Sequence, residues 1–262
     1  MAYIGIEGVR IYYATNRRSW KKEDRMQLVF VHGAGGDHRT WIYQMSYFRK
    51  KSAIYAIDLP KHGFSDGSGY ANIESYAEFV KKFLITLGLR ESILVGHSMG
   101  GAIIQMIGLN PIKHVKGLVL IGTGAKLRVN PLFLEKFKVV NEESAELFCE
   151  YAFAGDCEKE LIDSSKEMVL KTNSEVFYND FIACNKFDLM TEVERIDLPV
   201  LILGSTEDKM TPLKYSEYLH NKIKNCVLSV IEGAGHMLMM EKPDLVNRAI
   251  ENWLKKFKHE SQ

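Results

Sequence analysis

The stretch from Ser92 to Gly108 constrains this chain more than any other. An uninterrupted apolar run, Ile93-Leu94-Val95, stops at Gly96-His97-Ser98-Met99-Gly100, and a helix-like pattern begins at Ala102. A short apolar run reads as a buried strand, so the order is strand, tight turn, helix, with Ser98 at the bend. A serine held in a strained turn needs neighbours without Cβ atoms if strand and helix are to approach closely, which accounts for Gly96, Gly100 and the additional Gly101. Such a turn lifts the hydroxyl clear of the sheet, making Ser98 a candidate nucleophile.

The rest of the chain supplies the sheet that this turn requires. At 262 residues, with 46% hydrophobic and 26% charged, it is long enough for one large α/β domain. Ala2 to Ile6 and Val9 to Tyr13 flank Glu7-Gly8 as an antiparallel hairpin. Leu28 to Val31 is an uninterrupted apolar run of the kind buried on both faces of a parallel sheet, and Ile54 to Ile57, Val115 to Ile121, Pro199 to Leu203 and Val227 to Ile231 read as further strands. Between them, Tyr76, Phe79, Val80, Phe83, Leu84 and Leu87 recur at helical spacing, and Pro212 to Ile223 and Leu245 to Phe257 read as helices. From about Ala125 to Arg195 this alternation is interrupted by helical patterns alone, such as Pro131 to Val140 and Ser144 to Phe153. The expectation is a core of residues 1–124 and 196–262 with an inserted helical lid at 125–195. The lid's Phe133, Phe148, Phe153, Phe177, Tyr178 and Phe181 are expected chiefly as its packing face.

Charge and composition exclude several classes of function. A net charge of +1 creates no field for nucleic acid or an anionic membrane surface, so the expected partner is a small molecule. The mixed-charge stretch from Arg17 to Arg25 reads as a solvated loop. No run approaches the ~20 apolar residues of a membrane span, and the first residues lack a signal pattern, so a cytoplasmic protein is expected. Cys149, Cys157, Cys184 and Cys226 have neither C-x-x-C nor zinc-ligand spacing and read as reduced thiols. No metal and no organic cofactor are expected.

Two further loops supply partners for Ser98. The strand ending at Leu203 runs into Gly204-Ser205-Thr206-Glu207-Asp208, where Asp208 is the favoured acid and Glu207 the fallback. The strand ending at Ile231 runs into Glu232-Gly233-Ala234-Gly235-His236, where His236 is the favoured base. The order Ser, Asp, His matches what a strand–turn–helix nucleophile expects. The glycine-rich loop His32-Gly33-Ala34-Gly35-Gly36 has neither dinucleotide nor P-loop spacing. Its flexible backbone instead suits donation of an N–H to an oxyanion, with Ala34 the candidate donor. His32, Asp58 and His62 read as residues that brace loops.

With these motifs in family order, together with Trp41 and Asp58-Leu59-Pro60-Lys61-His62-Gly63-Phe64-Ser65, nearly the whole chain resembles the α/β-hydrolase superfamily. The resemblance implies a mostly parallel central sheet with helices on both faces. It also implies Ser98 as nucleophile, Asp208 and His236 as its triad partners, and the N–H groups of Ala34 and Met99 as the oxyanion hole. Lys61 departs from the family pattern, which often has glycine there. A serine at the elbow disfavours the dehalogenase and epoxide hydrolase branches, which use aspartate. The implied activity is hydrolysis of carboxylic esters with short or medium acyl chains, monoacylglycerol-type lipases included. The same fold also hosts carbon–carbon bond hydrolases, lyases and slow-turnover ligand sensors.

Overall fold

The computed structural model describes residues 2–16 and 26–259, so the charged stretch 17–25 lies outside the described residues. Eight strands form one sheet: β1 (Ala2–Ile6), β2 (Val9–Thr15), β3 (Gln27–Val31), β4 (Ala53–Ile57), β5 (Ser92–His97), β6 (Val115–Ile121), β7 (Val200–Ser205) and β8 (Cys226–Ile231). Their order across the sheet is β1-β2-β4-β3-β5-β6-β7-β8. The first two run antiparallel to their neighbours and the other pairings are parallel. Glu7 and Gly8, with φ of 49° and 81°, turn the hairpin between β1 and β2 as two-residue hairpin loops require.

The continuous apolar runs are explained by cores on both faces of the sheet. Successive side chains of a strand point to opposite sides. Thus Val29, Val31, Leu94, Leu120 and Ile202 enter one core, while Leu28, Phe30, Ile93, Val95 and Leu203 enter the other. The first core is covered by α2 (Ile73–Thr86), α3 (Met99–Leu109) and α8 (Lys214–Lys222), and the second by α1 (Ile42–Phe48), α9 (Leu238–Glu241) and α10 (Pro243–His259). Buried equivalents of Leu or Phe contribute about 1.5–3 kcal/mol each, so this double-sided burial is what fixes strand order and register.

Four helices separate β6 from β7: α4 (Pro131–Lys136), α5 (Glu142–Ala152), α6 (Lys159–Lys171) and α7 (Ser174–Lys186). The side chains of Asn130, Asn141 and Asn173 accept backbone N–H groups at the starts of α4, α5 and α7, satisfying donors that a helix leaves unpaired. Phe133, Phe137, Phe177 and Phe181 pack with Ala145 and Val169 into a third, aromatic cluster. Phe153 departs from the expected packing face and joins the core beneath α9 and α10 instead. No helix among the described residues is long and apolar enough to cross a membrane.

Candidate active site

Ser98 follows β5 directly and precedes α3, with φ of 53° and ψ of −115°. Positive φ in a non-glycine residue costs roughly 1–3 kcal/mol and persists only where the surroundings impose it. Here they do. A Cβ at Gly96 would lie 2.3 Å from the Gly100 carbonyl oxygen, and one at Gly100 would lie 2.2 Å from that of Val31. The Ser98 N–H donates to the Ile121 carbonyl, and the Thr123 hydroxyl donates to the Ser98 carbonyl, at 2.9 Å each. The bend is therefore pinned, through both of its backbone polar groups, to the end of β6 and the turn after it. Met99 opens α3, so its N–H has no carbonyl within the helix to bond.

Asp208 and His236 are brought together from the ends of β7 and β8. His236 Nδ1 lies 2.9 Å from Asp208 Oδ2, and both residues are buried. The carboxylate also accepts the N–H groups of Met210 and Thr211 and the Thr211 hydroxyl, at 2.7–2.8 Å. Burial opposes ionisation of Asp208, but His236 and the Thr211 bonds outweigh it and hold the carboxyl at about 2. With Nδ1–H directed at a carboxylate, the neutral ring keeps its lone pair on Nε2. Glu207, the fallback acid, is exposed.

His97 supports this loop from the elbow side. Its Nε2 donates to the His236 carbonyl at 3.0 Å, and the two rings stand 4.6 Å apart. Burial, with His236 adding to it, pushes the His97 imidazole down to about 3, so it stays neutral.

Ser98 and Ala34 sit where two cavities meet. One, with about 590 Å³ of empty space, is also lined by His236 and by the apolar Phe148, Met168, Phe177 and Met237. The other, about 660 Å³, runs past Phe133, Tyr151 and Phe181 to Arg128 and Lys209.

The glycine loop between β3 and the following 3-10 turn (His38–Trp41) is folded on itself, with Gly36 N–H donating to the Gly33 carbonyl at 3.1 Å. Ala34 lies within that turn. His32 is buried, and burial pushes it down to about 4. Its Nδ1 donates to the Gly33 carbonyl at 2.8 Å and its Nε2 accepts the Leu59 N–H at 3.1 Å. Asp58 accepts the N–H groups of His38 and Phe64 at 2.7 and 2.9 Å and faces the His38 ring. His62 is joined to Asp180 of α7 at 2.8 Å. These three residues brace loops, as their sequence contexts suggest.

Among the described residues the one convergent set of metal-type ligands is Asp37, His38 and Asp58, within 4.8 Å of one another. Arg39 already binds Asp37 through its guanidinium and N–H, and the His38 and Phe64 N–H groups occupy Asp58. These carboxylates serve the loop.

Two residues of the site escape motif reading. Thr211 is a hydroxyl three residues beyond Asp208, with nothing in the sequence to assign it to that carboxylate. Asp180 carries a readable signal: it stands on the buried face of a helix among Val176, Phe177, Phe181 and Cys184, where an unpaired acid would be costly.

Comparison with known proteins agrees with this fold. The model of the alpha/beta hydrolase family matches residues 28–249. A solved thermophilic esterase is 35% identical, with 97% of each chain covered and a TM-score of 0.84. The enol-lactonase of Burkholderia xenovorans is 19% identical over 97% of this chain and 100% of its own, with a TM-score of 0.89. The 3-oxoadipate enol-lactonase 2 of Acinetobacter baylyi is 24% identical, covering 93% of this chain and 94% of its own. A family model spanning most of the chain, over a sheet whose strand ends carry a strained serine and a buried Asp–His pair, shows that this chain belongs to the alpha/beta hydrolase family.

Proposed function

We propose that this chain hydrolyses carboxylic esters through an acyl-enzyme on Ser98. The observation that carries this reading is the 2.9 Å bond between Asp208 and His236, with His236 and Ser98 lining one cavity. A serine hydroxyl is a weak nucleophile, so its proton passes to His236 Nε2 as Ser98 Oγ bonds to the ester carbonyl carbon. Asp208 holds the imidazole in the required tautomer and stabilises the imidazolium that forms. The carbonyl oxygen becomes an oxyanion held by the N–H groups of Ala34 and Met99. Collapse breaks the bond to the alkoxy oxygen, which leaves as the alcohol with the proton from His236. Water then loses a proton to His236 and attacks the acyl carbon, and the acid departs as Ser98 recovers its hydrogen.

Residues 125–195 act in this reading as a lid whose Phe148, Met168, Phe177 and Phe181 take the apolar part of a short or medium acyl ester. The 35% identical esterase supports ester chemistry, and the enol-lactonases act on cyclic esters, the same bond type. Four free thiols support a reducing, cytoplasmic setting.

The test is Ser98→Ala. It should retain the fold by circular dichroism while losing both p-nitrophenyl ester turnover and covalent labelling by a fluorophosphonate. Labelling that survives in this variant would refute the nucleophile.

A further inference from the structure

Asp180 is a buried acid that the reaction above does not use. It projects from α7, and its two oxygens reach three separate elements of the core. Oδ2 accepts the Gly35 N–H at 2.8 Å and faces His62 Nε2 at 2.8 Å, while Oδ1 accepts the Tyr76 hydroxyl at 2.6 Å. Asp180, His62 and Tyr76 are all fully buried.

The protonation of this cluster follows from its geometry. His62 Nδ1 faces the Pro60 carbonyl at 2.9 Å and Nε2 faces the carboxylate, so both ring nitrogens meet acceptors and the ring must donate at both. Burial opposes that charge, but the Asp180 carboxylate beside it raises the imidazole above its ordinary range. The cluster is thus an ion pair with no net charge. That neutrality matters, because a lone carboxylate this close to the glycine loop would repel an oxyanion forming there.

The helical segment holds Gly35 from its other side as well. The Thr172 hydroxyl lies 3.1 Å from the Gly35 carbonyl oxygen. Gly35 has φ of +64°, and a Cβ there would fall 2.2 Å from the Phe177 ring. Its N–H, its carbonyl and its open side are therefore all occupied by residues 172–180. The Gly33 carbonyl and the Ala34 N–H belong to one trans peptide and point in opposite directions. The Gly36-to-Gly33 bond sets that plane from within the turn, and Asp180 blocks rotation of the next plane, between Ala34 and Gly35.

We propose that Asp180 is a positioning residue for the oxyanion hole, so that α7 sets the direction of the Ala34 N–H as well as walling the cavity. This rests on the oxyanion role given to Ala34 above. A misplacement of the order of 1 Å in such a site can cost about 100-fold in rate. Asp180→Asn should therefore lower kcat for p-nitrophenyl acetate about 10- to 100-fold while KM changes less than about 3-fold. Affinity for an alkylboronic acid, which forms a tetrahedral adduct on a serine, should weaken by the same factor as kcat.

Tyr76→Phe removes one bond to Asp180 without touching Gly35, so it should lower Tm yet leave kcat within about 2-fold. If folded Asp180→Asn keeps the parent kcat, or if Tyr76→Phe loses as much kcat at equal loss of Tm, Asp180 is structural and the proposal fails. Should Asp180→Asn not fold, Thr172→Val replaces it and should lower kcat several-fold; parent kcat in that variant overturns the proposal. The rate of fluorophosphonate labelling separates this idea from the ester reading. A parent protein that labels at Ser98 but turns over no ester loses the ester reading alone, and slower labelling of Asp180→Asn still upholds the positioning role. A parent that does not label loses both.

Discussion

Asp208 with His236 and Asp180 with His62 are buried carboxylate–imidazole pairs of nearly equal length, 2.9 and 2.8 Å. What separates them is the second ring nitrogen. His236 commits Nδ1 to its aspartate and lines a cavity shared with Ser98, so Nε2 is available to move a proton. His62 commits both nitrogens, one to Asp180 and one to the Pro60 carbonyl, and has none left for chemistry. Their pH dependences have opposite signs. The carboxyl of Asp208 is depressed to about 2, so its contribution to stability is present above ~3.9 and is lost as pH falls through about 2. His62 is raised, so its contribution is full below ~6.5 and is lost as pH rises through the folded value. The same two side chains can thus build a proton relay or a clamp, depending on where the second nitrogen points.

The largest effect is expected at Asp208. Asp208→Asn should lower kcat by about 10⁴-fold, because the amide imposes the wrong tautomer on His236, while Tm changes little beside that loss. Steady-state kinetics on p-nitrophenyl acetate decide it, and a loss below 10-fold would detach Asp208 from the reaction. The other pair should answer in stability. His62→Gln leaves Asp180 without its counter-charge and should cost about 3–5 kcal/mol in urea unfolding. The parent should lose up to ~1.4 kcal/mol per pH unit above about 6.5 from this group, and the variant should lack that slope. Curves that stay parallel from pH 6 to 9 would mean that His62 carries no charge.

The smallest effect belongs to Lys61, where the family often has glycine. Lys61 sits at φ of 67°, and its Nζ reaches Glu175 of α7 at 2.6 Å, an ion pair that is largely exposed on the Glu175 side. Lys61→Gly relieves roughly 1–2 kcal/mol of left-handed strain. It gives back about 0.5–1 kcal/mol in chain entropy and ~0.2–1 kcal/mol of ion pair. A net change under about 1 kcal/mol and an unaltered kcat are expected from calorimetry and kinetics; a 10-fold kinetic loss would extend the clamp to Lys61.

Sequence legibility divides along the same line. Ser98, Asp208 and His236 each follow an apolar strand whose pattern is visible in a window of a few residues, and the parallel sheet then carries all three to one edge. The clamp gives no such signal, because Asp180 meets Gly35, Tyr76 and His62 at separations of 145, 104 and 118 residues. Only the packing of α7 joins them. Helix ends are less legible: the pattern predicts a helix over Pro131 to Val140, but α4 stops at Lys136, where Phe137 turns into the aromatic cluster instead of continuing the helix. Tertiary packing of one phenylalanine overrides local propensity there.

The Phe177 ring over Gly35 bears on how this family diversifies. A helical segment with its own aromatic cluster looks like a cassette that could be exchanged between relatives to change specificity. The contact between Phe177 and Gly35 denies that freedom at one place, since a side chain larger than hydrogen at position 35 would collide with the incoming ring. Residues 172–181 and the loop 33–36 are therefore expected to change only together across relatives. Drift in substrate choice should collect instead in α4 and beside Arg128, since the end of α5 is itself held to the loop after β8, where the Met237 N–H donates to the Ala152 carbonyl at 3.0 Å.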